Sequence, residues 1–138
     1  MDHELSEQPN GLTRTQRRHL ADCTARGSGS SVQQLRESAL NHLAGTVEAH
    51  RQNALINIGL AKAICERVET VAGKWEDLTP IARFWLGGAI HYFVMSQDDE
   101  SDHTSPIGFE DDAVVLNACL RLADLPVLCL TIQDYDHA

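Results

Sequence analysis

The chain has 138 residues, of which 43% are hydrophobic but only 5% aromatic, and its formal net charge is −9. That length suits one domain with a sizeable core, and a core with few aromatic residues is mainly aliphatic, which favours helix-on-helix packing over a sheet. The negative charge argues against binding to duplex nucleic acid, which needs a basic surface, and against adsorption to anionic lipid. We therefore expect an all-α domain, a small bundle of four or five helices.

Residues 1–30 are predicted to be a flexible N-terminal arm in front of a helical domain at residues 31–138. The arm has few apolar residues and ends in RGSGSS, a run typical of flexible linkers. We expect one short helical turn within it, around Thr13 to Cys23. Its arginines are Arg14, Arg17, Arg18 and Arg26. Because they oppose the charge of the rest of the chain, the arm is either a solvated tail or a segment that folds back on acidic residues or grips an acidic partner.

From residue 32 to residue 72 the apolar residues recur every three or four positions, as on one face of a helix. They are Val32, Leu35, Ala39, Leu43 and Val47, followed by Ala54, Leu55, Ile58, Ala61, Cys65, Val68 and Ala72. One continuous helix of about 40 residues would be roughly 60 Å long, which is too long for a domain of this size. We therefore predict a break near residues 51–53, with Asn53 capping the second helix.

A turn is expected from Trp75 to Leu78, and Thr79-Pro80 then supplies the N-cap and first-turn proline that start a helix. This helix runs to about Ser96 and is apolar nearly all round, so we predict that it lies in the middle of the bundle. The pair at 87–88 is Gly-Gly, which costs roughly 1 kcal/mol per glycine relative to alanine. Either a neighbouring helix approaches closely there, or the pair is a hinge.

A polar loop follows at residues 97–107, and the next helix begins after Gly108 and must stop before Pro126. Residues 127–132 form either a final helical turn or an extended strap. The cysteines show neither CxxC nor zinc-finger spacing, and we expect reduced thiols of a cytoplasmic protein; they are Cys23, Cys65, Cys119 and Cys129. No apolar run reaches the roughly 20 residues that a membrane span needs, and the polar N-terminus does not resemble a signal peptide.

The stretch at residues 92–116 contains seven carboxylates and no Lys or Arg. Like charges at this density repel one another, so the stretch is either splayed into water or neutralised. The carboxylates at 110–112 lie in the first turn of a helix, where they interact favourably with unpaired amides by about 0.3–1 kcal/mol. Those at 98–100 follow the end of a helix, where the dipole disfavours anions, and they call for a counter-charge: a divalent cation, an arginine or a partner protein.

The candidate metal ligands are Asp98, Asp102, Asp111 and Asp112. Oxygen ligands of this kind suit Mg²⁺, Ca²⁺ or Mn²⁺, although the loop is not an EF-hand because it lacks the glycine at position six. The alternative is that these carboxylates serve capping, salt bridges and solvation. His91 and His103 flank the cluster, and a histidine inside an apolar helix, as at 91, is usually a hydrogen-bonded core residue. His42 and His50, eight positions apart, fall on different faces of their helix.

Around this stretch the chain resembles the YkvA-like family, bacterial helical domains of unknown function. In that family an apolar helix with a tyrosine leads to an Asp-x-x-x-Asp spacing and then to Gly-Tyr-x-Asp-Asp before another apolar helix. The matching residues, within about 80–122, are Tyr92, Asp98, Asp102 and Gly108-Phe109-Glu110-Asp111-Asp112. Gln97 and Ser101 stand where the family has prolines, and the loop is more polar than usual. The resemblance implies a small helical domain whose aspartates are the shared feature, and it implies no reaction.

The sequence contains no GxSxG, Walker, GxGxxG or HExxH motif, so no catalytic residue is assigned. We expect a binding or regulatory module with a protein partner, in which the four aspartates form a hydrogen-bond network or surround a cation. One alternative is a hydrolase whose carboxylates, with His91 or His103, hold a metal that activates water. Another is an acidic decoy for a basic protein, against which the balanced charge of residues 32–74 counts.

Overall fold

The computed structural model describes residues 8–27, 29–53, 57–95 and 109–132. Its helices, numbered in chain order, are α1 (Arg14–Gly27), α2 (Val32–Gln52), α3 (Ile58–Gly73), α4 (Pro80–Met95) and α5 (Glu110–Leu122). Short 3₁₀ turns occupy Trp75–Asp77 and Pro126–Leu128, and the described ranges contain no strand. The predicted all-α bundle of four or five helices is confirmed. None of the described helices combines the length and apolar character that crossing a bilayer requires.

Helix α4 is the central element, as its apolar sequence predicts, and it packs against α1, α2 and α5. It begins where expected, because the Thr79 hydroxyl accepts a hydrogen bond from the Ala82 amide at 3.2 Å and Pro80 follows. Gly88 faces α1: a Cβ atom placed there would overlap Thr24 Cγ2 and lie 3.2 Å from the Thr24 Cα. The Gly-Gly pair thus permits the close approach of a neighbouring helix, and that neighbour is α1.

Helix α1 is more extensive than the sequence predicted. Where one short helical turn in a flexible arm was expected, residues 14–27 form a helix of 14 residues. A reciprocal capping box starts it, since Gln16 N donates to Thr13 Oγ1 at 3.0 Å and Thr13 N donates to Gln16 Oε1 at 2.9 Å. Leu20 and Thr24 are 1% and 3% exposed. A few small or aliphatic side chains hold α1 in the bundle because α4 offers a glycine surface; residues 1–7 lie outside the described residues.

The predicted break after α2 is confirmed, but the predicted cap is wrong. Helix α2 ends at Gln52, and Asn53 is its C-cap, with a backbone amide that donates to the Ala49 carbonyl at 3.0 Å. The N-cap of α3 is Asn57, whose side-chain oxygen accepts from the Leu60 amide at 3.1 Å. Both asparagines can cap a helix, and the correct one is set by where α3 must begin in order to pack on α2.

The segment after α5 combines both predicted alternatives, a helical turn and then an extended strap. Arg67 Nε on α3 donates to the Leu128 carbonyl at 2.7 Å. The Asn117 side chain on α5 accepts from Leu130 N at 2.7 Å and donates to Leu130 O at 2.9 Å. Leu130 is 5% exposed, so these side chains fix an extended backbone across the core, where the described residues provide no neighbouring strand.

Candidate functional site

The predicted ligands fall on both sides of a gap in the described structure. Asp98 and Asp102 lie outside the described residues, as does His103. Asp111 and Asp112 are both in the first turn of α5. Among the described residues no group of three His, Cys, Asp or Glu side chains is arranged to hold a metal ion. The complete set of four aspartates therefore stays a prediction, and the geometry concerns its second half.

Asp111 and Asp112 point to different environments. Successive residues are turned by about 100° around a helix axis, so adjacent carboxylates do not share a face. Asp111 is exposed, and its Oδ1 accepts a hydrogen bond from Gln16 Nε2 of α1 at 2.9 Å. Asp112 is only 2% exposed. The outer carboxylate thus links the starts of α1 and α5 at the surface, whereas the inner one lies within the bundle.

The first turn of α5 carries Glu110 along with these two aspartates, as the sequence analysis expected of a helix N-terminus. Its N-cap residue is Phe109, whose side chain makes no capping hydrogen bond and is completely buried. The dipole of this helix start interacts favourably with the carboxylates of its first turn. Asp112 is buried in this first turn, where the helix dipole offsets part of the cost of removing its carboxylate from water.

A buried histidine lies beneath this helix start. His42 of α2 is 1% exposed, and its ring centre is 4.6 Å from that of Phe93 on α4, edge to face, and 6.2 Å from that of Phe109. The Thr46 hydroxyl donates to the His42 carbonyl at 2.9 Å. We call His42, Phe93 and Phe109 the aromatic cluster. It joins α2, α4 and the start of α5 directly below the acidic turn.

Sequence reasoning missed His42 because it followed apolar residues alone. The predicted apolar face of α2 ran through Leu43 and Val47, which are only partly buried. The buried residues are Leu35, Ala39, His42 and Thr46. Their spacing of four, three and four is that of one helix face, so the spacing alone could have predicted this buried face. It was missed because His42 and Thr46 are polar.

The side of α1 that faces the bundle lies close enough to Asp112 for the Asp112 carboxylate to affect the pKa of Cys23 on α1. Burial raises the pKa of the Cys23 thiol to about 11, and the carboxylates of Asp22 and Asp112 raise it further while Arg26 opposes them. On α4, burial lowers the pKa of His91, and Arg26 adds to this shift. The four cysteines are free thiols. The site is a junction of α1, α4 and α5 in which Asp112 is buried and Asp111 is exposed.

Comparisons with protein-family models, with curated proteins and with solved structures find no match to this chain. The functional argument consequently rests on the residues themselves. At the junction these residues are the buried Asp112, the exposed Asp111, which accepts a hydrogen bond from Gln16 of α1, and the nearby aromatic cluster.

Proposed function

We propose that this protein is a small helical binding or regulatory module and that its acidic segment, residues 98–112, is the surface it presents to a protein partner. The observation that carries the proposal is the division between Asp112, which is 2% exposed, and the exposed Asp111. In the proposal, the buried carboxylate of Asp112 stabilises the start of α5, and the exposed carboxylate of Asp111 is available to a partner. The resemblance to the YkvA-like family, in which the aspartates are the shared feature, supports the same assignment.

In this proposal Asp112 is a structural anchor, and Asp111 acts with Asp98 and Asp102 at the surface. The roles of the last two rest on their sequence spacing. The three surface aspartates either form a hydrogen-bond network or bind a divalent cation such as Mg²⁺, Ca²⁺ or Mn²⁺. The negative charges near the start of α5 repel one another. A hydrogen-bond network, a bound cation or a basic partner would each reduce this repulsion.

The described residues support binding over thiol chemistry. Burial raises the pKa of Cys65 to about 12 and raises that of Cys119 as well, whereas a nucleophilic cysteine has a lowered pKa. Free thiols also fit a cytoplasmic location, which belongs to this proposal.

Charge pairing on α2 and α3 supports a module with a local acidic site over an acidic decoy. Arg36 binds Glu69 with an N–O distance of 2.8 Å, and Arg51 binds Glu48 at 3.2 Å. These pairs neutralise carboxylates that a decoy would leave available across one continuous face.

Thermal unfolding of the full chain tests the anchor role, with Asp112→Asn compared against the adjacent Asp111→Asn. A carboxylate in the first turn of a helix interacts favourably with the helix dipole by up to about 2 kcal/mol in a partly buried position, so Asp112→Asn is expected to melt several degrees lower. Asp111→Asn removes the same charge from an exposed position and is expected to change stability by less than about 1 kcal/mol. Equal melting temperatures for the two variants would refute the anchor.

The same melts in EDTA and in millimolar Mg²⁺, Ca²⁺, Mn²⁺ or Zn²⁺ separate the two arrangements. An ion at a hundred times its dissociation constant stabilises the fold by about 2.7 kcal/mol. If the aspartates hold a cation, one ion raises the melting temperature of the wild type, and the rise disappears in Asp102→Asn. If no ion changes the wild-type melt, the network is the correct arrangement.

A further inference from the structure

The outward face of α1 is basic in a strongly acidic chain. Arg14, Arg17 and Arg18 are exposed there, although the whole chain has a net charge of −9. The ion pairs among the described residues join helix α2 to α3 and α2 to itself, and none includes these three arginines. Asp22, one turn after Arg18, makes no ion pair with it in the described part of the chain. Arg26 lies elsewhere, with its Nη1 4.0 Å from the Met95 sulfur.

We call Arg14, Arg17 and Arg18 the arginine face. Residues three and four apart are neighbours on a helix surface, so Arg14 lies beside both Arg17 and Arg18. Arg14 and Arg18 are separated by about 6 Å along the axis. In an extended chain, side chains on one face recur every second residue, about 6.6–6.8 Å apart. Carboxylates at alternate positions of an extended segment therefore match the spacing of Arg14 and Arg18.

A small cavity adjoins the arginine face. It has a volume of about 100 Å³ and is lined by Gln8, Pro9, Arg17, Leu20, Ala21 and Trp85. Leu20 and Trp85 are 1% and 8% exposed, so the floor of the cavity is apolar, and Arg17 places a positive charge at its rim. This volume accommodates one aliphatic side chain, and the rim favours an acidic residue beside it.

We propose that the arginine face binds an extended acidic segment of a partner protein. Two carboxylates at alternate positions pair with Arg14 and Arg18, and one aliphatic side chain enters the cavity beside Arg17. Arginine forms two parallel hydrogen bonds with a carboxylate, which gives these pairs directional strength. The arginine face includes none of the residues of the proposed function, and the proposal does not depend on that function.

The observations favour an acidic peptide over nucleic acid or membrane. Polybasic lipid-binding segments have about 4–8 clustered basic residues, and the arginine face has three. The net charge of −9 repels polyanions and anionic bilayers as a whole, so attraction must act at short range on a ligand that fits. The apolar floor of the cavity also favours a ligand with an aliphatic side chain, which a phosphate backbone lacks.

Fluorescence anisotropy with the full chain and a labelled peptide, Ser-Glu-Ser-Glu-Ser-Ile-Ser-Glu-Ser, whose Glu and Ile side chains share one face when it is extended, tests the proposal. The double variant Arg14→Gln/Arg18→Gln is expected to bind roughly tenfold or more weakly. The control Arg51→Gln/Lys62→Gln removes two positive charges from other exposed sites and is expected to change affinity by less than about twofold. Circular dichroism melts of both variants check that the fold is intact.

The cavity is tested separately by Ala21→Phe, which fills it. This variant is expected to bind the peptide with Ile no better than a peptide with Ser in its place, while the wild type prefers Ile. Equal weakening by the two double variants, or no binding with the protein at about 1 mM, would overturn the proposal. It would also be overturned if poly(U) or phosphatidylserine vesicles displaced the peptide with equal potency. A concentration-dependent dimer, abolished by Arg14→Gln/Arg18→Gln, would replace the partner protein by a second copy of the chain.

Discussion

The contact between α1 and α4 at Gly88 makes a sharp prediction about stability. A Cβ atom at Gly88 would overlap Thr24 Cγ2 and lie 3.2 Å from Thr24 Cα and from Leu20 Cδ1. At Gly87, one position earlier, the nearest atom would be Leu35 Cδ1 at 3.7 Å, an ordinary van der Waals contact. Two adjacent glycine-to-alanine substitutions in one helix are therefore expected to have opposite effects on the free energy of unfolding.

The magnitude follows from three contributions. Alanine is favoured over glycine inside a helix by roughly 1 kcal/mol, and in Gly87→Ala nothing opposes this gain. In Gly88→Ala, overpacking costs about 1–3 kcal/mol. Thr24 cannot rotate away without losing its hydroxyl hydrogen bond to the Ala21 carbonyl, 2.7 Å long, which adds about 1 kcal/mol. The net result is a loss of about 1–3 kcal/mol for Gly88→Ala.

Thermal and urea unfolding followed by circular dichroism measure both variants. For a domain of this size 1 kcal/mol corresponds to roughly 3 °C, so Gly88→Ala is expected to melt about 3–9 °C lower and Gly87→Ala about 2–3 °C higher. Adding Thr24→Ser to Gly88→Ala removes only the overlapping methyl group and is expected to recover about 1 kcal/mol or more as a coupling energy. If Gly88→Ala is as stable as Gly87→Ala, α1 does not pack on Gly88 and the assignment of α1 to the bundle is refuted.

Three further predictions concern other parts of the molecule. Asn117→Ala removes both hydrogen bonds to Leu130, so faster exchange of the Leu130 amide hydrogen is expected; unchanged exchange would contradict the role of this side chain in the strap. The pKa of His91 is lowered by burial, so unfolding binds a proton below about pH 6.5. Stability is expected to fall on acidification through that range, and less steeply in His91→Gln when urea unfolding is compared at several pH values. Iodoacetamide labelling followed by mass spectrometry is expected to modify the partly exposed Cys129 first and the fully buried Cys119, whose pKa burial raises, last; the reverse order would refute the assigned burial.

The sequence by itself determined the elements that depend on local interactions. Thr79-Pro80 predicted the start of α4, Pro126 the limit of α5, and the excessive length of the apolar repeat predicted the break after α2. These signals act through a few neighbouring residues, by capping, by a missing amide or by helix length, and so they are readable before any tertiary contact is known.

The tertiary structure decided which surfaces are inside. Few apolar residues in α1 suggested an arm, but the glycine surface of α4 buries Leu20 and Thr24 against it. Likewise the buried face of α2 passes through His42, because aromatic neighbours on other helices surround that position. A polar side chain is stable in the interior only if residues distant in sequence contact it favourably. The spacing of residues along the chain contains no information about those distant residues.

The same limit applies to the acidic turn. The sequence predicted that carboxylates at the start of α5 stabilise the helix, but Asp111 and Asp112 are equivalent in that argument. Their separation into an outer residue bonded to Gln16 and an inner residue that is 2% exposed depends on where α1 and α4 lie around α5. Local physics places a charge at a helix end, and only the packing of the other helices determines whether that charge faces water or the core.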